Sequence, residues 1–395
     1  METGGSTISD DVPTSDGSVA LAVTQYAAAC RDALDQAETS VVSHAGLWLL
    51  LAHAAEHVTG PERADLENLL GMPSERASEV AREFFVEPHP TLAAAVGAWA
   101  APDAHTPLDV DRPIPDQSTL DAWASERTRG LIESFPADVD PMTRILLATA
   151  LVLEPRWIEP LHEEESGDLV LDGGLQAIVR TEAAGDVVVA KPHTADGVDV
   201  LSVAAAPEVP PSRVWQAVDE VVALLDDGVL RHASRPDALP DTGHSWRSWT
   251  EQTEMLAHEV ADLPVGPDGR RSQWRSRLRP WTASATLDLT TAPGVAEVAH
   301  AILPDEPAAD TECVQAVRAE YDKDGFRAAA VTAMMRAGSA PLFETVEVEH
   351  VELDLTGTHA VVAIARGGAW EGVPLVSAWV TPDQPRPERT RDGLV

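Results

Sequence analysis

Between Arg144 and Leu153 the chain reads RILLATALVL, interrupted only by Arg144 and Thr149. A run of this length without alternation is typical of a strand covered on both faces. It requires a layered fold with that strand at the middle of a sheet. The elements around it segregate along the chain. Apolar residues recur at helical spacing over Ser18–Gln36, Val41–Val58 and from Arg63 to Leu70, and Thr119–Ile132 reads as a helix capped by Ser118 or Thr119. Leu92–Ala101 fits either a helix or a strand. Strands are expected at Ser276–Leu289, Thr311–Glu320, Thr345–Leu355, His359–Arg366 and Val373–Val380. Helices early and strands late, with no fixed-period repeat, predict one mixed α+β domain and not alternating βαβ units.

The middle, from Ala206 to Arg275, is the hardest part to read. Val214–Leu225 is an amphipathic helix. The Pro-, Gly-, Asp- and His-rich stretch from Asp226 to Gly269 leaves room for one short helix near Thr253–Val260. Trp246, Trp249, Trp274 and Trp281 fall in or beside this region, as a local core or a binding patch. Residues 1–17 and 384–395 read as disordered tails, the first acidic, and 18–383 as the folded domain.

The formal net charge of −37 over 395 residues speaks against nucleic acid or an anionic membrane as a partner, because phosphates are repelled. Lys191 and Lys323 are the only lysines. With Cys30 and Cys313 alone there is no disulfide framework, and two unpaired thiols are expected. The polar start METGGSTISDDVPTSDGS lacks the basic and apolar regions of a secretory signal, and no apolar run is long enough to span a membrane. The expectation is a cytoplasmic protein.

YDKDGFRAAAVTAMMRAGSAP, Tyr321–Pro341, is the stretch most suggestive of function. An acidic turn ends in Gly325, and Ala328, Ala329, Ala330, Val331, Thr332 and Ala333 follow. Small and β-branched side chains allow such a segment to sit as an exposed loop or to enter a sheet as a strand.

This stretch resembles the hinge and reactive loop of the serpins, and five other segments match that family in order. SVVSHAGLWLLLAHAAEHVTGPERADLENLLGM (40–72) resembles its first long core helix and the turn after it. LDAWASERTRGLIESF (120–135) is similar to the helix bearing the family's Trp and Thr, here Trp123 and Thr128. TRILLATALVLEPRWIEPL (143–161) is similar to the central strand ending in the family's Trp, here Trp157. RLRPWTASATLDLT (277–290) resembles the Leu-Pro-Arg-Phe strand–turn, and AVVAIARGGAWEGVPLVSAWVTPD (360–383) the last two core strands.

The resemblance implies a divergent, bacterial-type serpin. Its expected architecture is a single domain with a helix-rich N-terminal part, three β-sheets and a reactive loop at about 321–345. The implied function is inhibition of a serine protease as a suicide substrate, not catalysis. The protease cleaves the loop and forms an acyl-enzyme, and the freed segment inserts as an extra strand. Gly325, Phe326, Ala328, Ala329, Ala330 and Thr332 then form the hinge. Counting forward as family members are built places the scissile bond at Ser339–Ala340, which suits a subtilisin- or elastase-like protease. Arg336–Ala337 suits a trypsin-like enzyme and Met335–Arg336 a chymotrypsin-like one. Thr149 stands where the family has Asn, Gln315 where it has His, and His44-Ala45 where it has Ser-Pro. Thr149, Gln315 and Trp157 are the residues expected to control opening of the sheet, with a hydrogen bond between Thr149 and Gln315 in prospect. Phe326 replaces a small hydroxyl residue, so its ring has to find room beneath the sheet or stall insertion. The resemblance implies a monomer without a cofactor, and it raises an extracellular location as the alternative.

Two other readings remain. One is a serpin fold without the trap, serving as a binding or scaffold protein. The other is a zinc peptidase using HAAEH, His53–His57, in which Glu56 is the base; its third ligand cannot be identified from sequence.

Overall fold

The structure, a computed structural model, describes residues 16–31, 37–86, 89, 92–139, 142–195, 197–230, 234–236, 239–256, 260–261, 263–265, 270–305, 313–326 and 343–382. Nearly all of both expected tails lies outside this set, and so does the loop segment 327–342.

Helix α1 (Asp16–Cys30) leads to a short strand β1 (Ser40–Val42) and helix α2 (His44–Ala54). Periodicity predicts one helix over Val41–Val58; instead, its first residues are strand and its last turn, Ala55–His57, is a 3₁₀ helix. The break lies at Ser43, which has extended backbone (φ −109°, ψ 95°) and caps the helix by accepting from Gly46 N at 3.1 Å. Val41 and Val42 are thereby freed to pair with a strand from the far end of the chain. Helices α3 (Pro61–Leu70) and α4 (Ser74–Val86) follow, and the segment from 92 resolves as strand β2 (Leu92–Ala100).

Helix α5 spans Gln117–Arg127 and is capped by Asp116, whose carboxylate accepts from Thr119 N at 2.9 Å. The expected cap residues Ser118 and Thr119 therefore lie inside the helix. It stops short of Ile132 because Arg129 and Gly130 take positive φ, and the Thr128 hydroxyl donates to Ala124 O while accepting from Ile132 N.

Strands β3 (Ile145–Leu153), β4 (His162–Glu163), β5 (Leu169–Leu171), β6 (Leu175–Thr181), β7 (Gly185–Lys191) and β8 (Val198–Ala204) precede helix α6 (Pro211–Asp226). The hard-to-read middle then forms strand β9 (Trp246–Leu256), so Thr253–Leu256, expected as helix, is extended. After it come β10 (Arg271–Leu278), β11 (Trp281–Asp288), helix α7 (Val295–Ile302), β12 (Val314–Tyr321), β13 (Phe343–Leu355), β14 (His359–Ala365) and β15 (Pro374–Val380).

A six-stranded sheet has the order β1-β15-β14-β8-β7-β6, and a five-stranded sheet the order β4-β5-β10-β13-β9. Two separate pairs, β2–β3 and β11–β12, stand where a third sheet is expected. Helix α2 runs through the largest core, with Trp48, Leu49 and Leu51 buried. Helix α6 covers the six-stranded sheet through Val214, Trp215, Val218 and Val221. No helix among the described residues is long and apolar enough to cross a membrane.

Candidate functional site

Strand β3 pairs with β2 from Leu92↔Leu153 to Ala100↔Ile145, and β12 pairs with β11 from Trp281↔Tyr321 to Asp288↔Val314. Among the described residues no ladder joins β3 to β12, so each has one edge without a strand partner. Ile145 to Thr149 are accordingly half-buried, where the sequence predicts cover on both faces. An edge of free N–H and C=O groups is a template for an added strand.

The two pairs are tied together at one end. Asp322 closes a tight turn by accepting from Asp324 N and Gly325 N at 2.8 and 3.0 Å. Residues 155–161 are stitched to this turn by an isolated bridge between Arg156 and Gly325. Leu161 N donates to Lys323 O at 2.7 Å and Phe326 N to Pro155 O at 3.0 Å. The Trp157 indole donates to Asp322 O at 3.0 Å. A Cβ on Gly325 would lie 2.7 Å from Pro155 O, so the approach admits only glycine.

Phe326 does not stand outside the sheet seeking room. It is buried, and its ring meets Trp281 and Tyr321 edge-on at centroid distances of 5.9 and 6.5 Å. Tyr321 packs in turn on Trp157 at 5.1 Å. The expected obstacle is an aromatic anchor at the base of the loop. Ala328, Ala329, Ala330, Thr332, Met335, Arg336, Ser339 and Ala340 lie outside the described residues.

The expected hydrogen bond between Thr149 and Gln315 does not form. Both side chains reach the first turn of α2 instead. The Gln315 amide donates to Ser43 O and accepts from Ser43 N, both at 2.9 Å. The Thr149 hydroxyl donates to Gly46 O at 3.2 Å. The start of α2 therefore holds β12 on one side and β3 on the other. Sequence reasoning missed Ser43 and Gly46; the available signal was Ser43 as a helix cap ahead of an apolar run. His44 sits beside them, 2% exposed, with no hydrogen-bond partner for either ring nitrogen among the described residues. Burial first, then the charge of Arg31, push it down to about 3.

Other candidates resolve differently. His53 belongs to α2 and His57 to the 3₁₀ turn, so they do not share a regular helical face. Glu56 is turned to Arg82 at 3.1 Å. Among the described residues no group of three or more His, Cys, Asp or Glu side chains is placed to hold a metal ion. Cys30 and Cys313 are free thiols. Trp246, Trp274 and Trp281 are core residues, whereas Trp249 is exposed and stacks on His350 at 5.2 Å.

No protein-family model and no curated protein matches the sequence. Solved structures match at the level of fold. Tengpin, a thermophilic serpin in its native state, is 13% identical with a TM-score of 0.62 over 96% of each chain. Mouse protein Z-dependent protease inhibitor is 10% identical with a TM-score of 0.59, over 92% of this chain and 96% of that one. Thyroxine-binding globulin in complex with thyroxine is 10% identical with a TM-score of 0.61, over 91% and 98%. The chain has the serpin fold.

Proposed function

We propose that the protein inhibits a serine protease by offering its 327–342 segment as bait and inserting the cut end between β3 and β12. The observation that carries this reading is the pair of unpartnered edges on those strands, tied at the end from which the segment departs. A strand added there gains ladder hydrogen bonds to both neighbours and covers the half-buried face of β3. The small residues from Ala328 to Thr332 suit that passage. The structural relatives include a protein named as a protease inhibitor, which supports the general role. Ser339–Ala340 is the favoured scissile bond, and a subtilisin- or elastase-like protease the favoured target.

The burial of Phe326 favours a second reading, a non-inhibitory binding protein of the same fold. Insertion begins at this hinge, and its ring is already engaged with Trp281 and Tyr321. Incubation with subtilisin, elastase and trypsin, followed by a denaturing gel, separates the two. A covalent complex is expected with at least one protease, together with a raised melting temperature of the loop-cleaved protein. Clean loop cleavage without a complex and without a thermal shift supports the second reading.

A further inference from the structure

A cavity of about 710 Å³ lies away from the loop, between the turn after α2, the segment following β2 and helix α7. Its size falls in the ~300–1,000 Å³ range of small-molecule sites. Its walls come from opposite sides of the divided sheet. The segment after β2 is held to that strand by Ala100 N donating to Asp111 O at 3.0 Å and Asp111 N to Ala98 O at 2.9 Å. Arg112 follows directly. The facing wall is helix α7, which connects β11 to β12 and contributes Glu297 and His300.

Arg112 and Glu297 are opposite in charge and are not joined to each other among the described residues; His105 meets Asp305, just past α7, at 3.8 Å, and Glu62 on the third wall adds a second carboxylate. Arg112 donates only to the Ala101 carbonyl and has no carboxylate partner among the described residues. Glu297 has no hydrogen-bond or ion-pair partner among them either. Val58, Ala104 and Ala301 add apolar lining to the cavity. We propose that this cavity binds a small zwitterion of the amino-acid class, with its carboxylate on Arg112, its ammonium on Glu297 and an apolar side chain between them. A lone anion forgoes the contact to Glu297 and a lone cation the contact to Arg112, so each makes only one of the two charge-assisted contacts.

Such a ligand links the β2–β3 pair to the chain that joins β11 and β12. A strand inserted between β3 and β12 sets the spacing of the two pairs, which no ladder among the described residues fixes in the uncut protein. A zwitterion fitted to the uncut spacing opposes a change in it, and by linkage an inserted loop that changes it weakens the binding. Binding stands by itself; the coupling rests on the proposed insertion.

Calorimetry on the full chain with L-leucine as the probe tests the site, with 4-methylpentanoate and isoamylamine as partners lacking one charge each. L-leucine is expected to bind, and each single-charge analogue to bind ~10-fold more weakly or not at all. Arg112→Gln and Glu297→Gln are each expected to weaken L-leucine by ~10-fold with circular dichroism unchanged. No binding of L-leucine up to ~10 mM, or binding indifferent to both substitutions, overturns the site. Repeating the titration on loop-cleaved protein tests the coupling. A raised melting temperature with undiminished affinity overturns the coupling alone. An unraised melting temperature counts against insertion, and the coupling falls with it, while the binding result continues to decide the site.

Discussion

Gln315 and Ser43 lie 272 residues apart and exchange two hydrogen bonds of 2.9 Å, side-chain amide to backbone N–H and C=O. One glutamine thus gives the Ser43 N–H its acceptor and supplies the Ser43 carbonyl with a second donor beside Leu47 N at 3.3 Å. Removing it strands the Ser43 N–H in a largely buried setting, at about 1–3 kcal/mol. Gln315→Ala is therefore expected to lower unfolding stability by about 2 kcal/mol in a urea titration. A change below about 0.5 kcal/mol would show that the exchange is not formed in solution.

Phe326→Ala is expected to destabilise the intact protein by about 3–5 kcal/mol, because the ring is buried and packs on Trp281 and Tyr321. Phe326→Thr should cost somewhat less and also free the hinge, so that loop-cleaved protein reaches its final melting temperature sooner. A substitution that leaves the denaturation midpoint of intact protein unmoved would contradict the anchor.

Gly325→Ala tests the stitch between the acidic turn and the end of β3. The added methyl meets a backbone carbonyl, not a yielding side chain, so about 1–3 kcal/mol of overpacking is expected. Its sharpest readout is increased hydrogen exchange at Trp157 N, Leu161 N and Phe326 N, the three amides that donate across the stitch.

Acid should destabilise the fold through its buried imidazoles. His44 is pushed down to about 3 and His359 to about 4, both chiefly by burial. A folded pKa below the ordinary 6.5 means that the unfolded chain takes up the proton first. Stability is therefore intact above about pH 6.5 and declines as pH falls toward 4 and 3, on the order of 1 kcal/mol per unit for each histidine. His44→Leu, which also removes two unpartnered buried nitrogens, is expected to flatten that decline between about pH 6.5 and pH 4. An equally steep loss in the variant would exclude His44 as a contributor.

Much of the fold was legible because its signals are local. The run Arg144–Leu153 is a strand, Val214–Leu225 lies within a helix, and the order of motifs along the chain pointed to the architecture found. Strand β9 was not legible, since its polar sequence WRSWTEQTEML becomes a strand by pairing with β13, some ninety residues onward. The setting of Phe326 was hidden for the same reason: Trp281 and Tyr321 reach it only once β11 and β12 are paired. Thr149 and Gln315 were identified as a pair, yet each turned to the helix start, whose backbone groups offer better-placed partners than another side chain. The division of the sheet between β3 and β12 is the absence of a pairing, and no residue type encodes it.

Strand β13 begins where the loop ends and is zipped on both sides, to β9 over Phe343–Leu353 and to β10 over Val348–Leu355. Lengthening the loop from that mooring means unzipping the β9 ladder from Phe343 and, beyond Glu347, the β10 ladder as well. Severing the loop frees the opposite end without disturbing either ladder. If the proposed insertion operates, the molecule is a fuse: its state would record a single past event, and that record could not be erased without remaking a peptide bond.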